Sequence, residues 1–188
     1  MDYSDVMLLL SRNEDEHIEF KEARSSFDFD KLVDYSVALA NERGGLIILG
    51  VSDKKPRRIV GTQAYADGIS IIQEHLIAQI QLRIDVEEII CLEGRVLVFH
   101  VPSRPLGVPK KGHGRYLMRS GEALTTMSDD MVKRIFDEAE PDYSAEICHK
   151  AAWEDLDVDS MEEFRRRWAA SSGNAAIAMD FPRFRRHI

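Results

Sequence analysis

The stretch GGLIILGVSD, residues 44–53, decides the fold of this 188-residue chain. Residues 46–51 are almost continuously apolar and too few for a helix of ordinary length, and glycines and Ser52-Asp53 bound them. Such a run is typical of a strand that is covered on both faces. We therefore expect a central strand over residues 46–51, with the rest of the domain built around it.

A second strand is predicted upstream, where residues 17–21 alternate polar and apolar side chains. Because successive side chains of a strand point to opposite faces, the two apolar side chains are expected in the core. His17, Glu19 and Lys21 are then expected together on the other face.

The other predicted elements follow from apolar periodicity, helix caps and turn residues. In chain order they are a helical lead-in (6–10), a helix that begins after Asp28 and ends at Gly44 and Gly45, a short strand (58–61), a helix (68–83), a hairpin (86–92 and 95–101), a strand (116–119) and a helix from Ser128 to about residue 139. This order predicts an α/β (α+β) fold, a mixed sheet flanked by helices, over residues 1–140. Residues 141–188 are predicted to form an acidic linker, a short helix around residues 160–168 and a basic irregular tail.

The charge of the chain is unevenly distributed. The formal net charge is −8, which excludes a protein that coats DNA through overall charge. Residues 1–136 carry −3, residues 137–163 carry −10 and residues 164–188 carry +5. Because the acidity lies mainly in one segment, it does not count against a local phosphate-binding groove in the first 136 residues.

Several classes of protein are excluded or disfavoured by what the sequence contains. The two cysteines, Cys91 and Cys148, have no paired spacing, so a structural zinc site or a disulfide scaffold is not expected. No glycine-rich segment has the P-loop pattern, so we expect no ATP site. No apolar run reaches the length of a membrane span, and the first residues lack the basic region of a signal peptide. We expect a cytoplasmic protein with no membrane contact.

Four motifs together resemble the Schlafen AlbA-type domain, over about residues 10–138. They are Glu14-x-x-x-x-Glu19-Phe20-Lys21, Ala40-Asn41-x-x-Gly44-Gly45, Gly50-Val51-Ser52-Asp53 and Tyr116-x-x-Arg119-x-Gly121. The resemblance implies a nucleic-acid-associated domain. In bacteria such domains head proteins described as transcriptional regulators, and animal Schlafens resemble metal-dependent endoribonucleases that act on transfer and ribosomal RNA. One copy of the motif implies that a closed groove requires a homodimer.

By the same resemblance, a nuclease site falls on Glu14, Glu19 and Asp53, with Mg²⁺ or Mn²⁺ as cofactor and Lys21 assisting. The residues themselves permit this arrangement. Glu14 and Glu19 are five apart and would face opposite ways on one strand, so Glu14 must lie in the turn before it. Asp53 follows the central strand, where open sheets place their ligands, and carboxylates suit hard divalent cations. The alternative is a surface ion pair and an ordinary turn aspartate.

A second candidate site is the basic loop, residues 104–119, which contains no acidic residue. Its candidate phosphate ligands and stacking residue are Arg104, Lys110, Lys111, Arg115, Tyr116 and Arg119, and Lys54 and Lys55 extend the set just past Asp53. Such loops neutralise phosphates and stack on bases. The alternative is a solvated loop with no ligand.

The sequence leaves three functions open. The first is a nucleic-acid-binding domain of a Schlafen-like transcriptional regulator, which contacts phosphates through the basic loop. The second is a divalent-metal-dependent endoribonuclease of structured RNA such as tRNA. The third is a protein-interaction or assembly module that uses the acidic linker and the aromatic residues of the C-terminal segment.

Overall fold

A computed structural model describes residues 1–139, 150, 155 and 157–173. The chain divides into two compact units, Met1–Pro141 and Asp142–Ile188. In chain order the elements of the described residues are α1 (Tyr3–Ser11), β1 (Ile18–Lys21), α2 (Phe29–Asn41), β2 (Gly45–Leu49), α3 (Ile69–Ile80), β3 (Asp85–Cys91), β4 (Gly94–Val101), β5 (Leu117–Ser120), β6 (Ala123–Thr126), α4 (Asp129–Asp137) and α5 (Val158–Ser172). The predicted α+β class is confirmed.

The main sheet has four strands in the order β1-β2-β4-β3. β2 pairs in parallel with β1 and antiparallel with β4, so that Ile47 is flanked by Glu19 and Phe99. Both faces of β2 are covered, since Ile47 lies in one apolar cluster and Ile48 in the other. The prediction of a central strand after Gly45 is therefore confirmed.

Local signals place the helix that covers one face of this sheet. The side chain of Asp28 accepts a hydrogen bond from the backbone of Lys31 and starts α2. Just past α2, Gly44 has φ +93°, and a Cβ at Gly45 would collide with the backbone of His17. The chain can therefore leave α2 and enter β2 directly only with glycine at these positions.

Two predicted strands differ from the structure. Residues 58–61 form no strand, because Ile59 makes only an isolated bridge to Val51. The strand predicted at residues 116–119 forms as β5, but it pairs with β6 in a separate two-stranded sheet rather than joining the main one. The sequence did not predict β6, because all four of its residues are exposed and its sequence lacks the alternation of a half-buried strand.

The second unit is described mainly by α5, which contains the helix predicted around residues 160–168. The described side chains of α5 include exposed Phe164 and Trp168, whose ring centroids lie 6.0 Å apart. Cys148, most of the acidic linker and the basic end of the chain lie outside the described residues. Within the described ranges, no helix combines the length and apolarity that a bilayer crossing requires.

Candidate functional site

Glu14 lies in the loop between α1 and β1, as convergence with Glu19 requires. Its Oε1 accepts a hydrogen bond of 3.1 Å from the backbone N–H of Phe20, and the guanidinium of Arg57 lies 3.8 Å away. Burial raises the pKa of Glu14, and the charge of Glu19 adds to the rise, whereas the hydrogen bond from Phe20 opposes it. This carboxylate is therefore hydrogen-bonded to the backbone of β1 and partly withdrawn from water.

Glu19 lies on the face of β1 that the strand pattern assigned to polar side chains, but this face is not open to solvent. Its side chain is only 2% exposed and is faced by Lys21, by Tyr35 of α2 and by Arg119 of β5. Lys21 forms an ion pair with Oε1, and the guanidinium of Arg119 lies 2.6 Å from Oε2. Both carboxylate oxygens are thus faced by cations of the chain itself.

Arg119 is the basic partner at the centre of this arrangement, and its side chain is fully buried. Its Nη2 also donates to the backbone carbonyl of Asp15 at 3.4 Å, and its guanidinium lies 5.7 Å from the ring centre of Tyr35. Its Nε and Nη1 have no hydrogen-bond partner among the described residues. We call Glu19, Lys21, Tyr35 and Arg119 the Glu19 cluster.

The pKa values of Lys21 and Tyr35 are both raised within the Glu19 cluster. For Lys21, burial lowers the pKa, but the hydrogen bond and the charge of Glu19 outweigh it, with smaller help from Tyr35 and Asp53, and the pKa is raised. For Tyr35, burial raises the pKa and the charge of Glu19 raises it further. Both groups are protonated at neutral pH already at their ordinary pKa values, and the raised pKa values strengthen that state, so Lys21 is a charged partner for Glu19.

Asp53 is exposed and lies beyond the carboxyl end of β2. Its Oδ1 accepts a hydrogen bond of 3.0 Å from the backbone N–H of Glu22, the residue after β1. Since β1 and β2 are parallel, their carboxyl ends meet at this edge of the sheet, where ligands of open sheets bind. Asp53 therefore holds the two strand ends together.

The three predicted metal ligands do not fit Mg²⁺ or Mn²⁺ as they are folded. Among the described residues, no group of three or more His, Cys, Asp or Glu side chains is placed to hold a metal ion. The oxygens of Glu19 face two cations, and Glu14 and Asp53 each accept a backbone hydrogen bond. A hard cation needs several free oxygens at about 2.0–2.6 Å. The endoribonuclease hypothesis stays a prediction.

Three residues of the basic loop are engaged in holding the fold. Arg104 makes two hydrogen bonds to Glu138, of 2.7 and 2.8 Å, and its side chain is only 7% exposed. Lys110 is buried, and its Nζ donates to the backbone carbonyl of Gln81 at 3.2 Å. Burial lowers the pKa of Lys110. Together with Arg119, these cations are turned inward, so the loop presents less charge to solvent than its sequence suggests.

The other basic residues of the loop lie at the surface. Lys111 is exposed, and its Nζ lies 4.5 Å from the ring centre of Tyr116, within cation–π distance. Arg115 is 55% exposed and forms an ion pair of 3.1 Å with Asp34. His113 bridges Asp34 and Asp30 of α2, at 3.0 and 3.1 Å. These contacts fasten the loop to α2 and leave Lys111 and Arg115 exposed, with half-buried Tyr116 beside Lys111.

Lys54 and Lys55 are exposed in the turn after Asp53, where Lys55 contacts the side chain of Asn13. Their neighbour Arg57 is different: its side chain is 4% exposed, and its guanidinium lies 4.2 Å from the ring centre of Phe20. This turn therefore combines one buried cation, which fixes it to β1, with two lysines at the surface.

Sequence reasoning assigned no role to two residues that organise the site, although one of them, Asn41, stood in a family motif. Asn41 donates to the backbone carbonyls of Lys110 and Leu117 and accepts from the N–H of Lys110, which ties the basic loop to α2. The sequence signal that could have indicated this role was a single amide side chain after the apolar positions at the end of a helix. Tyr35 had no signal beyond its place near the apolar stripe of α2.

A family model described as Schlafen, AlbA_2 matches residues 14–128, which is more than half of the chain. The chain belongs to this family. Membership makes it a nucleic-acid-related domain and bears out the resemblance carried by the four sequence motifs.

Two solved structures are similar to this AlbA_2 domain. The DIP2311 protein from Corynebacterium diphtheriae is 20% identical with a TM-score of 0.56, and the match covers 91% of this chain and 38% of that one. The N-terminal domain of a RecG-related protein from Nitrosomonas europaea is 22% identical with a TM-score of 0.47, over 69% of this chain and 93% of that one. No curated protein matches. The AlbA_2 chain thus spans less than half the length of the first structure, and that likeness concerns the fold alone.

Proposed function

We propose that this AlbA_2 domain binds nucleic acid through its exposed cations Lys54, Lys55, Lys111 and Arg115, with Tyr116 as a stacking surface. The observation that carries the proposal is the division of the basic residues into two groups. Arg104, Lys110 and Arg119 have buried side chains, whereas these four residues are exposed. Only cations at the surface can release their counterions on meeting a phosphate.

A series of contacts connects the segment that contains Lys111 and Arg115 with the turn that contains Lys54 and Lys55. Arg115 pairs with Asp34 of α2, and the next residue of that helix, Tyr35, lies 5.3 Å from the Nζ of Lys21 at the end of β1. The backbone of the residue after Lys21 is hydrogen-bonded to Asp53, which Lys54 follows. This series of contacts supports a binding surface that includes the carboxyl end of β1, the edge at which an open sheet receives a ligand.

The pairing of Lys111 with Tyr116 favours a single-stranded or unpaired segment as the ligand. Aromatic side chains stack on unpaired bases, and stacking contributes about 1–3 kcal/mol for each base. A cation beside the ring meets the adjacent phosphate, so one short segment of the basic loop can contact both parts of a nucleotide.

Fluorescence anisotropy of labelled single-stranded DNA, duplex DNA and hairpin RNA tests the proposal. We expect the double variants Lys54→Gln/Lys55→Gln and Lys111→Gln/Arg115→Gln each to lower the salt slope by about 1.4 for a single strand and by about 1.8 for duplex DNA. At about 0.1 M salt, removing one phosphate-binding cation weakens binding about fivefold for a single strand and about eightfold for duplex DNA, from counterion relations of about 0.7 and 0.9 per phosphate. Lys133→Gln/Arg134→Gln on α4 removes the same charge and serves as the control.

Two results would overturn the proposal. One is that none of the three nucleic acids binds with salt-sensitive affinity. The other is that the α4 control loses as much affinity as the two test variants, because the binding would then follow net charge rather than these residues.

The wider role we propose is that of a nucleic-acid-binding part of a transcriptional regulator, working as a homodimer that closes a groove between two copies of the motif. Light scattering with and without the bound nucleic acid measures the stoichiometry. Two chains for each bound site are expected, and a single chain in the saturated complex would contradict the homodimer.

A further inference from the structure

The carboxylate of Glu19 is the buried acid at the centre of the candidate site. Removing a carboxylate from water is strongly unfavourable unless opposite charge and hydrogen bonds replace the lost solvation. In this chain Lys21 faces one oxygen and Arg119 the other, and the side chain of Arg119 is 0% exposed. The positive charge that such a carboxylate requires is thus supplied from within the fold.

A divalent metal ion would place two positive charges beside the carboxylate oxygens of Glu19, as Lys21 and Arg119 do together. We infer that Arg119, together with Lys21, takes the place of the metal ion, so that the carboxylate centre of this domain is built and maintained without Mg²⁺ or Mn²⁺. Arg119 is then a positioning residue, which fixes β5 and the end of the basic loop against β1.

The surroundings of Arg119 oppose its displacement by a metal ion. Its guanidinium lies 2.6 Å from Oε2 of Glu19, and this ion pair is the main compensation for its burial, because Nε and Nη1 of Arg119 and Oε2 of Glu19 have no hydrogen-bond partner among the described residues. Moving the guanidinium away from Glu19 would leave a buried cation without its anion. Such a change is strongly unfavourable, since the side chain of Arg119 is 0% exposed.

The other two carboxylates also have partners of their own within the fold. The hydrogen bond from Phe20 fixes Glu14 beside Arg57, and the hydrogen bond from Glu22 fixes Asp53 at the surface. A metal ion that drew the three carboxylates together would have to compete with these partners as well as with Arg119 and Lys21.

Titration of the full chain with Mn²⁺, followed by electron paramagnetic resonance in the absence of nucleic acid, tests this inference separately from nucleic-acid binding. We expect that the wild-type chain has no saturable Mn²⁺ site that depends on Glu19, so that Glu19→Gln leaves Mn²⁺ binding unchanged. The melting temperature of the wild-type chain should be the same in Mn²⁺ and in chelator. One Mn²⁺ per chain, weakened tenfold or more by Glu19→Gln and by Asp53→Asn, would overturn it.

A second variant tests the role of Arg119 directly. Arg119→Met frees the carboxylate of Glu19, so we expect this variant to gain Mn²⁺ binding over the wild type. Arg83→Met, which removes an exposed arginine 3.5 Å from Asp85, is the matched control and should gain none. A folded Arg119→Met chain that binds no more Mn²⁺ than the control would refute the substitution of the metal by Arg119. If Arg119→Met does not fold, the comparison of the wild type with Glu19→Gln decides.

Discussion

Replacing Arg119 by methionine should destabilise the domain severely, although the residue has the sequence context of a surface loop cation. The change leaves a carboxylate that is 2% exposed with Lys21 as its one remaining cation. Breaking a buried pair by removal of one partner costs about 3–5 kcal/mol, and we expect the lower end, about 3 kcal/mol, because Lys21 remains. That is a large part of an ordinary domain's stability of about 5–15 kcal/mol.

Urea denaturation followed by circular dichroism measures this loss, and the midpoint should fall with the m value unchanged. In thermal unfolding the same loss lowers the midpoint by about 6–12 °C for a chain of this size. The control Arg83→Met removes an arginine that is 84% exposed and should cost less than about 1 kcal/mol.

The double variant Glu19→Gln/Arg119→Met separates the buried charge from the packing of the arginine side chain. With both charges removed, no unpaired carboxylate remains, and the double variant should be more stable than Arg119→Met alone. A cost below about 1 kcal/mol for Arg119→Met, or no recovery of stability on removal of the Glu19 charge, would refute a stabilising buried pair.

Three other perturbations test separate parts of the domain. The hydrogen bond with Asp34 is the largest cause that raises the pKa of His113, and the hydrogen bond with Asp30 adds to the rise against the opposing effect of burial. The stabilisation from His113 is therefore complete below the ordinary histidine pKa of about 6.5 and is lost as pH rises through the raised pKa. The variant His113→Asn should therefore lower the melting temperature at about pH 5.5 and leave it unchanged at about pH 9. Lys110→Met should leave nucleic-acid affinity unchanged because its Nζ is directed at a backbone carbonyl, whereas Lys111→Gln should weaken it; equal losses in anisotropy would contradict this. Gly45→Ala should cost about 1–3 kcal/mol in urea denaturation because its Cβ would collide with backbone, and a neutral result would show that the strand can shift.

The sequence predicted the elements whose signals are local. Residues 46–51 predicted a central strand through nearly continuous apolar positions, Asp28 predicted a helix start, and Gly44 and Gly45 predicted the helix end that leads into β2. Each of these signals lies within a few consecutive residues, so the pattern is readable from the chain alone. β6 lacked such a pattern because one paired edge, and no buried face, holds it in place.

The candidate site divides in the same way. By itself the sequence determined the family, the mixed sheet and the short set of acids and cations from which a site could be built. Only the tertiary structure decided which of them are free: Arg119 and Glu19, far apart in the chain, are buried against each other, whereas Lys111, next to buried Lys110, remains at the surface. The physical reason is that burial and charge pairing depend on which distant residues the fold brings into contact, and no local pattern records this.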